Sequence, residues 1–208
     1  MGSSKGLFAP MAKHYGSLIE TGTWMGDGIQ IALESGFGQV ISCDINEEFV
    51  LQARSRFKNE PVKVLCGSSE QVLKSVVREV TEPAIFFLDA HAMPPSPAAH
   101  VFSASTLVEG QEQNETLQCP ILAEIDIILG GGFMGHAIFV DDRQCFDTWL
   151  FHFLSEQMVR KKVSSLCPGK YSFGYYQNVL CITPRGVKKP REPLRTTLGR
   201  QVRRLAGS

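Results

Sequence analysis

Residues 17–28 read SLIETGTWMGDG, and this stretch decides the fold. The apolar run that opens it has the composition of a buried strand, yet it ends on Glu20 and Thr21. Three glycines follow within seven residues, at positions 22, 26 and 28. Glycines between a strand and a helix permit a tight turn and let backbone N–H groups approach a ligand. The stretch therefore predicts a strand, a ligand-binding turn and the start of a helix.

The alternation of short apolar runs with helical spacing continues along the chain. Further strands are predicted at 39–44, 62–67, 84–90 and 136–142. Their uniformly apolar composition is typical of parallel strands that are buried on both faces. The runs at 171–176 and 178–184 are separated by one residue and predict an antiparallel ribbon at the sheet edge. The sequence thus predicts one α/β domain, with a doubly wound, Rossmann-like, mostly parallel sheet and an antiparallel C-terminal edge ribbon.

Local signals predict where several helices begin and end. Asn46 and Ser68 are suited to cap the second and third helices, and Gly36 is suited to end the first. Apolar side chains spaced at i, i+3, i+4, i+7 and i+8 between Phe146 and Leu154 predict a further, longer helix.

Two segments do not fit this pattern. Residues 92–118 are rich in Pro, Ser, Ala and Gln, and a loop of that length is usually a lid or a binding loop. Residues 185–208 hold eight of the 21 Lys and Arg residues but one of the 21 acids, Glu192. We therefore divide the chain into a Rossmann-like domain, 1–184, with a long loop or lid at 92–118, and a basic, flexible C-terminal tail, 185–208.

The composition, 43% hydrophobic and 20% charged, is that of a globular protein. No apolar run approaches the length of about 20 residues that spans a bilayer, and the N-terminus lacks the layout of a secretion signal. Six cysteines without a CxxC pair favour buried thiols over disulfides or zinc ligands. We expect no membrane contact and a cytoplasmic location.

Chemistry is expected where the strands end, because open parallel sheets bind ligands beyond the carboxyl ends of their strands. Asp44 ends the second strand, at the spacing from the glycine turn where a ribose-binding acid is found. The third strand ends in Gly67-Ser68-Ser69, which offers hydroxyl and backbone groups to a base. Each feature alone is also typical of a helix cap or turn, but together they predict an adenosine-type cofactor. The spacing is not GxGxxG, since position 24 is Trp24, and this disfavours a nicotinamide dinucleotide.

Residues 19–28, IETGTWMGDG, and residues 41–44, ISCD, resemble the first two motifs of class I S-adenosylmethionine (SAM)-dependent methyltransferases. The catechol-type small-molecule O-methyltransferases are the most similar, and the resemblance covers about residues 15–184. It implies that Glu20 and the glycine turn surround the methionine part of SAM and that Asp44 holds its ribose. The predicted cofactor-binding residues are Glu20, Thr21, Gly22, Thr23, Gly26, Asp27, Gly28, Asp44, Ile45, Gly67, Ser68, Ser69 and Asp89.

Acids also end the fourth and fifth strands, as Asp89 and as the pair Asp141 and Asp142. Three carboxylates near one point repel one another, and a divalent cation such as Mg²⁺ relieves the repulsion by taking oxygen ligands. We therefore predict these three residues as candidate metal ligands. The catechol-type enzymes are similar, with an Asp after the fourth strand and an Asp-Asn pair after the fifth.

The catechol-type enzymes also carry a lysine base shortly after the fourth-strand Asp, where this chain has Ala90, His91, Ala92 and Met93. His91, whose unperturbed pKa lies near 6.5, is the predicted general base beside Asp89. Two alternatives stay open, in which His91 ligates the metal or is purely structural.

The preferred function is SAM-dependent methyl transfer to a hydroxyl of a small molecule or sugar, with or without a divalent metal. One alternative is an RNA or DNA methyltransferase that uses the basic tail, which is less favoured because the tail has no aromatic residue for stacking. Another is a non-catalytic, cofactor-binding scaffold. A homodimer, in which the tail contacts an acidic face of a second subunit, is also left open.

Overall fold

The computed structural model describes residues 3–90, 119–188 and 190. The α-helices in this part of the chain are α1 (Ser3–Met11), α2 (Asp27–Ser35), α3 (Glu47–Arg56), α4 (Ser69–Glu79), α5 (Ile121–Leu129) and α6 (Glu156–Leu166). The strands are β1 (Ser17–Thr21), β2 (Gln39–Asp44), β3 (Val62–Cys66), β4 (Ile85–Leu88), β5 (Ala137–Val140), β6 (Tyr171–Tyr176) and β7 (Val179–Pro184). Across these described ranges, no helix is long and apolar enough to cross a membrane.

All seven strands form one sheet in the order β3-β2-β1-β4-β5-β7-β6. The pairs among β1 to β5 are parallel, whereas β7 pairs antiparallel with both β5 and β6. The predicted doubly wound sheet with an antiparallel C-terminal ribbon is therefore confirmed. Strand order reverses between β1 and β4, which is the position where such sheets bind their ligands.

The core consists of two apolar clusters, one on each face of the sheet. One cluster includes Leu73 of α4, Ile125 of α5 and Val159 of α6, and the other includes Phe8 of α1 and Ile29 of α2. Strands β1, β4 and β5 are buried on both faces because helices cover them on each side.

The prediction of burial on both faces is wrong for β3. This strand lies at the edge of the sheet and alternates in exposure, with Val64 buried and Lys63 exposed. The Lys63 ammonium pairs with Glu79 at 3.1 Å on the solvent side. Successive side chains of a strand point to opposite faces of the sheet, and near this edge only the face of Val64 is fully covered.

The predicted helix ends are confirmed. The Asn46 side chain accepts a hydrogen bond from Glu48 N, and the Ser68 hydroxyl accepts one from Gln71 N. Gly36 ends α2 in the left-handed region, at φ 96°.

The predicted helix from Phe146 to Leu154 is wrong. Two short 3₁₀ turns, Arg143–Cys145 and Trp149–Phe151, occupy this region, and α6 begins only at Glu156. His152 and Phe153 have φ values of 50° and 57°, which a right-handed helix does not accept. The apolar side chains divide accordingly: Phe146 and Leu154 are buried, whereas Trp149 is exposed.

Sequence analysis missed α1, which packs on the α2 face of the sheet. This face buries Leu7, Phe8 and Met11 of α1. Tyr15, which follows the helix, is buried in the same cluster. Their spacing of one, three and four residues is a helical signal that was present in the sequence. Pro10 lies inside α1.

Candidate cofactor and active site

The carboxyl ends of β1, β2 and β4 meet at one edge of the sheet. Asp89 N donates to Thr21 O at 3.1 Å, and Gly22 N donates to Cys43 O at 2.8 Å. The backbone of β1 is thus held on both sides at the point where strand order reverses. The acids that follow these strands are brought to a common edge by the sheet itself.

The glycine turn is packed closely against this edge. A Cβ on Gly22, whose φ is 90°, would come within 2.5 Å of Asp89 O. A Cβ on Gly28, in the first turn of α2, would collide with Glu20 Oε1. Gly26 lies between them as the N-cap of α2, with φ 79°. Glycine at positions 22 and 28 therefore lets the N-terminus of α2 approach the Glu20 carboxyl group and the end of β4.

Glu20 is a buried carboxyl group at the centre of the edge, 3% exposed. Its Oε2 accepts a hydrogen bond from Ser42 Oγ at 2.7 Å, and Ser42 Oγ lies 2.7 Å from Thr23 Oγ1. Burial raises the pKa of Glu20 to about 8, and the nearby charge of Asp44 raises it as well, while the Ser42 hydrogen bond lowers it. Near neutral pH a bound cation would favour the ionised form.

Asp44 is fixed by two backbone N–H groups. Its Oδ2 accepts from Trp24 N at 2.8 Å and its Oδ1 accepts from Asn46 N at 2.9 Å. Trp24 takes the left-handed conformation, φ 41°, and this hydrogen bond holds it there. The turn and the end of β2 are thereby locked together around one carboxylate.

Large apolar side chains stand exposed beside Asp44. Ile45 is 69% exposed, Trp24 is 59% exposed and Met25 is 48% exposed. With this exposure, Trp24 and Met25 do not belong to the core. Exposed apolar surface next to a fixed carboxylate suits a ligand with an aromatic base and a ribose.

The remaining predicted cofactor residues have more local roles. Ser68 uses its hydroxyl to cap α4, with 3.3 Å to Gln71 N, and Ser69 follows it at the start of that helix. Gly67 N donates to Asp44 O at 2.9 Å. Asp27, in the first turn of α2, lies 3.5 Å from the Arg56 guanidinium. Arg56 also donates to Met25 O at 2.7 Å and ties α3 to the glycine turn.

Asp89 lies among other acids at the end of β4. Burial, together with the charges of Asp141 and Glu20 and smaller effects from Asp142 and Glu124, raises the pKa of Asp89 to about 9. Asp141 is brought next to it because Asp141 N donates to Leu88 O at 3.1 Å.

Sequence analysis missed Glu124 and Ser42. Glu124 is a fully buried acid on α5 that acts on the pKa of Asp89. Each carried a signal in the sequence. Glu124 interrupts the apolar face of ILAEIDIIL, and Ser42 interrupts the apolar strand VISC.

Among the described residues, no group of three or more His, Cys, Asp or Glu side chains is arranged to hold a metal ion, and metal binding by Asp89, Asp141 and Asp142 stays a prediction. Asp142 takes the left-handed conformation at φ 49°. Its Oδ1 accepts from Gln144 Nε2 at 2.8 Å and from Asn178 Nδ2 at 3.1 Å. These bonds direct Asp142 to the β6–β7 turn, while Asp89 and Asp141 remain neighbours.

Three predictions fall wholly or mostly outside the described residues. His91, the predicted base, is one of them, and the long loop at 92–118 is another. The basic tail is described only at its start, where Arg185 N donates to Lys170 O at 2.8 Å and Val187 packs against the core.

No protein-family model matches this sequence, and no curated protein matches it. Solved structures do match its fold. The O-methyltransferase from Bacillus cereus, in complex with S-adenosylhomocysteine (SAH), aligns over 86% of this chain and 80% of its own length, with 15% identity and a TM-score of 0.57. The O-methyltransferase TomG from Streptomyces achromogenes, in complex with SAM, aligns over 88% and 80%, with 12% identity and a TM-score of 0.60.

A third solved structure contains a metal. MycE, a methyltransferase from the mycinamycin biosynthetic pathway in complex with Mg and SAH, aligns over 90% of this chain and 51% of its own length. Its identity is 14% and its TM-score is 0.56. At such identities the comparisons show the fold alone: this chain shares the α/β fold of these methyltransferases.

Proposed function

We propose that this protein binds SAM at the carboxyl ends of β1 and β2 and transfers its methyl group, most simply to a hydroxyl of a small molecule or sugar. One observation carries the proposal: Trp24 N and Asn46 N hold Asp44 at the end of β2, next to the strand β1 whose buried Glu20 lies where strand order reverses. The shared fold with SAM-bound and SAH-bound methyltransferases supports it.

The acids of the site suit a cationic cofactor. SAM carries a sulfonium and an ammonium group, and carboxyl groups with raised pKa values gain from a nearby positive charge. Glu20 would face the amino-acid part, Asp44 would accept hydrogen bonds from the ribose hydroxyls, and Ile45 would pack on the base. The glycine turn leaves room for this approach.

Methyl transfer breaks the bond between sulfur and the methyl carbon and forms a bond between that carbon and the acceptor oxygen. The acceptor's proton leaves to a base, and SAH is released as the neutral thioether. Asp89 and His91 are the proposed proton acceptors, Asp89 because of its position at the end of β4. In-line positioning of the oxygen supplies much of the rate.

A divalent metal remains a separate proposal. Mg is present in the MycE complex, whereas Asp89 and Asp141 offer two adjacent carboxyl groups here. A bound divalent ion would lower the pKa of an acceptor hydroxyl. Activity measured after chelation and after Mg²⁺ addition tests this point without affecting the SAM proposal.

Calorimetric titration with SAH, with NADH as the matched dinucleotide control, tests the proposed function. We expect SAH to bind in the micromolar range and NADH not to bind. A panel of hydroxylated aromatic compounds and sugars is then assayed for SAH production. No SAH binding would reject the proposal, while binding without turnover on any acceptor would favour the scaffold alternative.

A further inference from the structure

A buried chain of hydroxyl groups joins the glycine turn to Glu20. Ser42 donates to Glu20 Oε2 at 2.7 Å, and the same Oγ lies 2.7 Å from Thr23 Oγ1. Ser42 is fully buried, and the other two residues are each 3% exposed. The contact is built into the sheet, because Glu20 and Ser42 are register partners in the parallel pair β1 and β2. Side chains from two strands and the turn therefore form one hydrogen-bonded unit.

Packing alone does not explain a serine at this position. Its strand neighbours Val40, Ile41 and Cys43 are apolar and buried. Alanine or valine would fill such a position without the cost of burying a hydroxyl. The Ser42 hydroxyl is satisfied by Glu20 and Thr23, so its presence follows from what it does to the Glu20 carboxyl group.

The direction of these hydrogen bonds favours one charge state. An ionised carboxylate only accepts, so Ser42 donates to Glu20 and accepts the proton of Thr23. Donation to a carboxylate stabilises its charged form. Ser42 thereby lowers the pKa of Glu20, against the effect of burial, which raises that pKa to about 8.

The charged side chains that act on Glu20 from neighbouring elements are acidic. Asp44 ends β2, Asp27 lies in the first turn of α2, and Asp89 follows β4. This arrangement attracts a cation and resists ionisation of Glu20 until a cation binds. The Ser42 hydrogen bond is the contribution that favours the ionised form of Glu20.

We propose that Ser42 is a positioning residue for cofactor binding, which holds the ionised Glu20 carboxylate toward the ammonium group of the ligand's amino-acid part. The inference rests on the proposed function, since SAM and SAH carry that ammonium group. Ser42 acts through Glu20 and is itself buried beneath it. Binding of SAH near neutral pH then releases a proton from Glu20, and affinity rises with pH until Glu20 is ionised in the free protein.

The experiment compares Ser42→Ala with two other variants of the full chain. Ser42→Thr keeps the hydroxyl, and Ser172→Ala removes a hydroxyl that bonds Thr183 in the ribbon of β6 and β7. Each protein is titrated calorimetrically with SAH and with 5′-methylthioadenosine, which lacks the amino-acid part, from about pH 6 to about pH 9. Repeating the titrations in two buffers with different ionisation enthalpies gives the number of protons released.

We expect Ser42→Ala to weaken SAH binding about tenfold near neutral pH, as loss of a hydrogen bond to a charged group does. The pH at which affinity levels off moves upward, because the pKa of Glu20 rises further. Binding of 5′-methylthioadenosine stays unchanged, and Ser172→Ala and Ser42→Thr behave as the wild type.

Equal weakening of both ligands at every pH would reveal a structural role and overturn the inference. A proton release whose dependence on pH is the same in Ser42→Ala as in the wild type would also overturn it. If Ser42→Thr does not fold, the contrast between the two ligands in Ser42→Ala still decides. If the proposed function itself were wrong, the wild-type protein would not bind SAH, and this outcome differs from those above.

Discussion

The two halves of the strand-end edge differ in what acts on the buried acid of each half, Glu20 in the first and Asp89 in the second. At β1 and β2, Asp44 is held by two backbone N–H groups and Glu20 by a buried serine. At β4 and β5, Asp89 and Asp141 lie together as acids that repel, and the pKa of Asp89 rises to about 9. In the first half the Ser42 hydrogen bond offsets part of the effect of burial on the pKa of Glu20, whereas burial and the neighbouring acids all act to raise the pKa of Asp89.

This difference separates the residues that we expect to bind the cofactor from those that we expect to take part in the reaction. Fixed carboxylates and a tight turn supply affinity with little reorganisation. Crowded acids with raised pKa values are typical of groups that move protons. We therefore expect substitutions near β1 and β2 to change cofactor affinity most, and those near β4 and β5 to change rates and pH dependence.

The largest expected effect comes from Gly28→Ala, because the new Cβ collides with Glu20 Oε1. Overpacking of this kind costs about 1–3 kcal/mol of stability. Because the collision also displaces the carboxyl group proposed to bind the ligand, SAH affinity should fall about 100-fold. Alanine is otherwise favoured over glycine in a helix by about 1 kcal/mol, so a collision must reverse the sign of the stability change. Calorimetry and thermal unfolding measure both quantities.

Gly131→Ala is the matched control, since its Cβ would meet no atom within 4 Å. This variant should bind SAH as the wild type does. A Gly28→Ala protein that is more stable and binds SAH normally would show that the Glu20 carboxyl group does not abut α2.

Asp44→Ala should weaken SAH binding about 30-fold, since hydrogen bonds to charged groups contribute about 1.5–3 kcal/mol each. The substitution removes the acceptor of Trp24 N and of Asn46 N. Asp44→Asn keeps one oxygen and should lie between this variant and the wild type. Glu79→Gln, on the exposed pair with Lys63, is the control for loss of an acid. If Asp44→Ala and Asp44→Asn bind SAH as tightly as the wild type does, Asp44 is not part of the cofactor site.

Much of the first half could be predicted from the sequence, because it is built from consecutive strand–turn–helix units. The glycine turn and the caps at Asn46 and Ser68 each lie within a few residues of the helix that they begin, and Asp44 is the last residue of β2. Local hydrogen bonds follow local sequence, so spacing alone predicts them.

The second half could not be predicted to the same depth. Asp142 contacts Asn178, 36 residues away, and no spacing rule indicates this hydrogen bond. The helix predicted from Phe146 to Leu154 is absent for a similar reason. Apolar periodicity does not reveal which residues, such as Phe153, take the left-handed conformation. Glu124 acts on Asp89 only because α5 packs against the sheet.

Stability should fall as pH rises through the neutral range. Glu20 and Asp89 have raised pKa values, about 8 and about 9, so the folded protein keeps protons that the unfolded chain has lost above about pH 4. Their contribution to the free energy of unfolding is fully present below about pH 4. It is lost as pH rises toward the pKa values of the folded protein, by about 1.4 kcal/mol per pH unit for each proton. Denaturant unfolding at several pH values measures the slope.

Glu20→Gln and Asp89→Asn should each flatten this slope, because each removes one buried group that titrates. Saturating SAH should flatten the contribution of Glu20 by lowering its pKa. A stability that does not change between about pH 6 and about pH 8 would contradict the raised pKa values.

Asp142→Asn should have the smallest effect, below about threefold in rate, because a substitution that keeps the contacts of the residue usually changes little. Asparagine retains the Oδ1 acceptor for Gln144 and Asn178. Asp141→Asn is the informative partner, since Asp141 contributes the largest charge effect on the pKa of Asp89 after burial. That variant should shift the pH–rate profile to lower pH, as Asp89 ionises more easily. If instead Asp142→Asn abolishes turnover and added Mg²⁺ restores it, the three carboxylates share a metal, and the difference between the two halves lies in an ion rather than in a proton.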